Sequence, residues 1–174
     1  MGRIESNPGI QAPNSGQPVG SYPQNVQSPL PHIGNPWNSG LFDCHLDPTN
    51  AVMTTLFPCV TFGQVAEVLD ATDPLSQLNC TFGSLVYLLL MGVCANCVIG
   101  SKYRKKLRSR YGLVEAPYED ELSHLLCPFC SLCQEFRELK SRGLDPALGW
   151  QGIIAREQAM QQMNKPPPPQ AMSM

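Results

Sequence analysis

At 174 residues, with 12 Lys and Arg against 14 Asp and Glu, the chain has a net charge of −2 and the length of one modest domain plus tails. Half of the cations sit in one block, SKYRKKLRSR at 101–110, and removing those six leaves 6 basic residues against 14 acidic ones. Such concentration excludes a nucleic-acid-binding protein with positive charge spread over a broad face, and it fits the anionic lipid of an inner membrane leaflet.

Residues 1–36 are rich in Pro, Gln, Asn, Ser and Gly, with Arg3 and Glu5 as their only charges. Too little apolar surface is available there to offset the entropy of ordering, so a disordered tail is predicted. No apolar signal-peptide region is present, so most of the eight cysteines (44, 59, 80, 94, 97, 127, 130 and 133) are expected to face a reducing cytosol and to be free, metal-bound or acylated.

Order is predicted to begin at Trp37 and to run to 150 as a Cys-rich membrane domain. Trp37 and Phe42 suit the headgroup level of a bilayer, and Asp43, Cys44, His45 and Asp47 are potential ligands. Asp47 followed by Pro48 reads as an N-cap and first helical residue. The next segment, AVMTTLFPCVTFGQVAEVL, is uncharged until Glu67 and is interrupted by Pro58 and Gly63. Proline removes a ladder bond, which predicts a kinked or re-entrant segment over about 51–69, or a second span. An ordinary amphipathic helix with Val65, Val68 and Leu69 on one face is the competing reading.

From Cys80 to Gly100 the run CTFGSLVYLLLMGVCANCVIG carries no charge, and its length meets the roughly 20 residues a membrane-spanning helix needs. The basic segment 102–110 behind it is expected to stay cytoplasmic. Gly83, Gly92, Asn96 and two cysteines dilute the run, so a buried core helix competes.

After four acidic residues between Glu115 and Glu121 comes the densest chemistry. His124, Cys127, Cys130 and Cys133 recur every third residue. Thiolate and imidazole are the donors that zinc and softer ions prefer. A straight helix cannot wrap four ligands around one ion, so a site needs a bend at Pro128 or help from Cys44, His45, Cys59 or Cys97. The candidate ligands for zinc or cadmium are therefore Cys127, Cys130, Cys133, His124, Cys59, Cys97 and Cys44. Three other readings compete. Cys127-Pro-Phe-Cys130 has the form of a thiol redox pair, but no strand pattern precedes it as that motif requires. Cysteines near a bilayer can be acylated, and free cysteine is often simply buried. No catalytic residue is expected. Glu138 and Arg142 have helical pairing distance, Gly143 reads as a helix stop, and Asp145-Pro146 starts another turn. Residues 151–174 form a tail whose Pro-rich end, NKPPPPQAMSM, suits a polyproline-binding partner. These elements sum to a mainly α, small Cys-rich membrane protein with one or two transmembrane or re-entrant helices and disordered Pro-rich termini.

The order WNSGLFDC, FPCVTFGQVAEV, GSLVYLLL with CANC, YRKKLRSRYGL and HLLCPFCSLCQEFRELKSRGLDPALGW closely resembles the cornifelin (placenta-specific-eight) family, and within it the plant cadmium-resistance and cell-number-regulator proteins. The likeness covers about Trp37 to Trp150. It implies a protein usually placed at the plasma membrane, forming homo-oligomers, and involved in transport of or tolerance to zinc and cadmium. The alternative it implies is a membrane-anchored, non-transporting adaptor that controls cell number and organ size. One element departs from the family pattern: where metal-resistance members carry CCxxxxCPC or CLxxxxCPC, this chain keeps only Cys59, and Ser101 stands where a Cys is common.

Overall fold

The computed structural model describes residues 34–71, 78–93 and 95–164. These hold seven α-helices: α1 (Pro48–Leu56), α2 (Pro58–Asp70), α3 (Cys80–Gly92), α4 (Asn96–Tyr111), α5 (Asp120–Leu126), α6 (Pro128–Ser141) and α7 (Gly149–Met163). Single 3-10 turns lie at Cys44–Leu46 and Pro146–Leu148. No strand forms among the described residues; one isolated bridge pairs Asn35 with Leu113. The mainly α expectation holds. The N-terminal tail up to 33 and the Pro-rich end from 165 lie outside the described residues.

The first six helices form three pairs, each made of a helix, a sharp break and a helix running back. Two breaks share one cause. Phe57 and Cys127 precede Pro58 and Pro128, and a residue before proline is pushed out of the helical region. Both residues have left the helical region (φ −137°, ψ 65° and φ −148°, ψ 85°), and each proline opens the next helix, where its missing N–H costs nothing. The bend between α1 and α2 is 114°. The third break has no proline. It follows Gly92, and the Ala95 N–H reaches back to the Leu90 carbonyl at 2.8 Å.

This third break corrects the predicted span. The run from Cys80 to Gly100 is two helices, and α3 ends at Gly92. No single described helix is long and apolar enough to cross a membrane; α1 and α2 together have the length and composition, but only across their bend. The sequence showed uninterrupted hydropathy, which does not report where the backbone ladder stops.

Contacts fix the direction of each helix. Cys80 donates its N–H to Glu67, Gly83 lies against Gly63 and Ala66, and Tyr87 stacks on Phe62 at 4.6 Å. Thus α3 runs antiparallel to α2. Along α4, Ile99 packs near Phe62, Tyr103 donates to Asp70, and Arg110 donates to the Leu69 carbonyl, so α4 runs parallel to α2. Leu132 shares one apolar cluster with Phe62 and Leu139 shares the other with Leu69, which sets α6 parallel as well. The Asp47–Lys140 pair (2.6 Å) and the Thr54–Thr61 bond orient α1 against them.

Two apolar clusters stack along this bundle. One joins Phe62, Ala66, Tyr87 and Leu132 near the breaks; the other joins Val65, Val68, Leu69, Leu107, Phe136, Leu139 and neighbours toward the far end. Asp47 caps α1 by accepting the Asn50 N–H at 3.0 Å, as its place before Pro48 predicts. Gly143 takes φ +83° at the end of α6, and Glu138 pairs with Arg142 at 2.6 Å. The segment after 150 is more ordered than a tail: α7 docks through Ile153 and the half-buried Trp150, while residues 155–164 are exposed at every position.

Candidate functional site

Because the three pairs run back on themselves, their breaks gather at one end of the bundle. That end carries Leu56, Phe57 and Cys59 from the first pair, Val93 and Cys97 from the second, and Leu126, Cys127, Phe129 and Cys130 from the third. Cys59 and Ile99 pack against the Phe62–Tyr87–Leu132 cluster just beneath. The Tyr87 hydroxyl accepts from Asn96 at 3.3 Å. Burial raises its pKa against the opposing effect of the Asn96 bond, and the negative charge of Glu135 adds to the rise, with smaller contributions from Cys97 and Cys59.

The candidate ligands divide. Cys127 and Cys130 are joined as a disulfide at the start of α6, where the Cys127 sulfur also accepts the Cys130 N–H at 3.2 Å. Cys133, one turn on, is buried and pairs with Cys44 and Thr54; burial pushes its thiol up to about 11. Cys59 and Cys97 flank Tyr87. His124 is occupied elsewhere: its Nε2 meets Glu135 Oε1 at 2.8 Å, and its ring lies so close to Gly100 that a β-carbon there would strike it. Among the described residues, no three His, Cys, Asp or Glu side chains come together in a group that could hold a metal ion. The structure thus pairs Cys127 with Cys130 and Cys133 with Cys44, places Cys59 and Cys97 each near Tyr87, and sets His124 apart; Cys94 lies outside the described residues.

The block at 101–110 differs most from its sequence reading. Arg104 is fully buried. Its guanidinium meets Gln134 at 2.7 Å, Asp120 at 3.4 Å and Glu135 at 3.5 Å, and lies 4.3 Å over the Trp37 ring. Trp37, expected as a headgroup anchor, is half-buried and donates to the Val114 carbonyl. Arg108 grips Asp120 through two nitrogens, at 2.7 and 2.8 Å, and reaches Glu115. The Asp120 hydrogen bond raises the Arg108 pKa. Lys106 meets Asp70 at 2.6 Å. Lys102 and Lys105 are exposed on the outer face of α4. Buried charges need partners, and these acidic residues come from α2, α5 and α6, so the block ties helices together.

A family model described as the PLAC8 family matches residues 37–138. The chain belongs to the PLAC8 family. Over an alignment of 184 residues it is 46% identical to Protein PLANT CADMIUM RESISTANCE 8 of Arabidopsis thaliana, covering 95% of this chain and 94% of that protein. It is 42% identical to PLANT CADMIUM RESISTANCE 6 of the same plant (88% and 67% covered) and 44% identical to Cell number regulator 1 of Zea mays (70% and 62%). No solved structure matches. The family resemblance read from the sequence is borne out.

The PLAC8 match ends at Glu138, so it takes in all three helix breaks and the buried ionic group. Sequence reasoning did not select Arg104, Asp120 or Glu135. A signal was present: Ile99, Tyr103 and Leu107 recur every fourth residue through the basic block, marking an inward face beside Arg104.

Proposed function

We propose that this PLAC8 chain acts at a membrane, the plasma membrane, in tolerance to divalent heavy metal, with zinc or cadmium as cargo held transiently by cysteine thiols. The observation that carries the reading is the gathering of Cys59 and Cys97 with the Cys127–Cys130 disulfide, which a cytosolic thiol reductant would open to two further thiols, at the breaks of three helix pairs, an end of the bundle that among the described residues carries no Asp, Glu, Lys or Arg. Thiolate suits soft cadmium and borderline zinc. Thiols that form no closed four-cysteine cage release an ion readily enough to pass it on. The names of the Arabidopsis relatives support the reading. The second reading is a membrane-anchored adaptor in cell-number control; the withdrawal of His124 and Cys133 from the open thiols and the name of the Zea mays relative favour it.

The test is growth and metal content of metal-sensitive yeast on cadmium and on zinc. Cells carry the native chain, a variant with Ser at 59, 97, 127 and 130, or an empty vector, at matched protein abundance. Growth given by the native chain and lost in the variant supports thiol-based handling. Equal growth in all three sinks it and leaves the adaptor.

A further inference from the structure

We propose that the end of the bundle where the breaks converge dips into one leaflet of a lipid bilayer, and that no helix crosses to the other side. This rests on the membrane reading above, and specifies how the contact is made.

Charge is segregated along the bundle. From the breaks outward, α2 has no Asp, Glu, Lys or Arg before Glu67, α4 none before Lys102 and α6 none before Glu135; α1 and α3 have none at all, and α5 has none after Glu121. The large side chains at this end are open: Leu125 is 68% exposed, Leu89 66%, Leu56 63% and Val93 72%. Such an apolar surface, supplied by all three breaks, marks a contact site. Above it sits a charged rim.

The ion pairs decide between crossing and re-entry. The first pair begins at Asp47, bound to Lys140, and ends at Asp70, bound to Lys106. Lys140 closes α6 and Lys106 lies toward the end of α4, and both helices carry their last turns to the same Leu69–Leu107–Leu139 cluster. Both ends of the α1–α2 pair therefore lie at the charged end. A broken span would place them on opposite faces of the membrane; a loop entering and leaving one face places them together.

Depth agrees. Six residues separate Asn96 from Lys102 and five separate Glu121 from Leu126, about 8–9 Å at the helical rise per residue. Interfacial elements bury about 5–10 Å. The uncharged α3 is about 20 Å long, more than the roughly 15 Å of hydrocarbon in one leaflet, so it enters tilted with Leu85 and Leu89 toward lipid. A second copy of the chain would cover one face, whereas these residues surround an end. The exposed Lys102 and Lys105 stand at the rim, where anionic headgroups lie; Glu119 and Glu121 flank Lys102 in the shallow cleft between α4 and α5, so that attraction is confined to α4.

The full chain would be expressed in yeast with one epitope inserted after Ala71 and another at the C-terminus. Sealed right-side-out plasma-membrane vesicles are then probed with antibody before and after permeabilisation. The expected result is that both epitopes share one side. Exposure of one with protection of the other overturns one-leaflet entry, because either a hairpin of two spans or a single α3 span separates them. A chain absent from the membrane fraction overturns the membrane reading itself. A second arm uses the purified chain with vesicles of phosphatidylcholine and phosphatidylserine (3:1). L89D/L126D, with unchanged helical circular dichroism, is expected to bind at least about tenfold more weakly. Binding equal to the parent, or a tight lipid-free dimer that L89D/L126D disrupts, refutes entry by this end.

Discussion

Replacing Arg104 by Met isolates what the buried charge does. Arg104→Met keeps most of the stem but removes a guanidinium that meets Gln134, Glu135 and Asp120 and covers Trp37. Asp120 remains held by Arg108. Glu135 does not fare as well: it keeps only His124, and its other oxygen already lacks a hydrogen-bond partner. Removing one member of a buried ion pair costs about 3–5 kcal/mol, because the surviving charge is left without compensation. For a chain of this size that corresponds to a melting point lower by roughly 6–20 °C. Replacing both charges by apolar groups is far less costly, so Arg104→Met combined with Glu135→Met is expected to recover more than half of the loss. Thermal and denaturant unfolding in mild detergent, followed by circular dichroism, reads both. A single variant within about 1 kcal/mol of the parent, or a double variant no better than the single, refutes the account of Arg104 as the centre of the charged layer.

Gly63→Ala is expected to destabilise by about 1–3 kcal/mol, since a β-carbon there would run into the Cys80 carbonyl and Ser84 at the α2–α3 contact; unfolding at the parent midpoint would show that the helices separate freely. Cys133 is expected to resist maleimide at pH 8 in the folded protein and to react on unfolding, because it is buried and a thiol pushed up to about 11 is roughly one part in a thousand thiolate. Mass spectrometry of labelled peptides checks this, and rapid native labelling counts against it. Burial opposes ionisation of Asp47, but the Lys140 and Asn50 bonds prevail and hold its pKa below the usual carboxylate value. Its contribution is therefore complete above the unfolded carboxylate pKa and is lost as pH falls through the lower folded one. Lys140 is shifted up by the Asp47 bond, so its contribution is complete below the unfolded lysine pKa and is lost as pH rises through the folded one. Asp47→Asn, which preserves a capping side chain, is expected to flatten both limbs of a melting-point profile; an unchanged acid limb would remove Asp47 from the account.

Local chemistry explains what could be read from the sequence. Asp47-Pro48, Pro58, Pro128 and Gly143 each act through their own backbone restrictions, so their caps, breaks and stop were legible one residue at a time. The family likeness was legible because it rests on long uninterrupted strings. The break after Gly92 was not, since apolar composition is the same on both sides of it. Nor was the burial of Arg104, whose partners Asp120, Gln134 and Glu135 lie 16 to 31 residues on and meet it only when α4, α5 and α6 are assembled. The cysteines were recognised as the chemistry of the chain, but a period of three says nothing about a helix that begins at Pro128 and leaves His124 on the preceding one.

The exposed end of α7 has a mechanical consequence. Residues 155–164 touch no other element that buries them, and a helical stretch of this length is only marginally stable in water without packing. Unwinding of these ten residues would lengthen their reach from about 15 Å when helical to about 33 Å when extended. The Pro-rich terminus is carried on a tether of adjustable length, set by solvent and by whatever grips its far end.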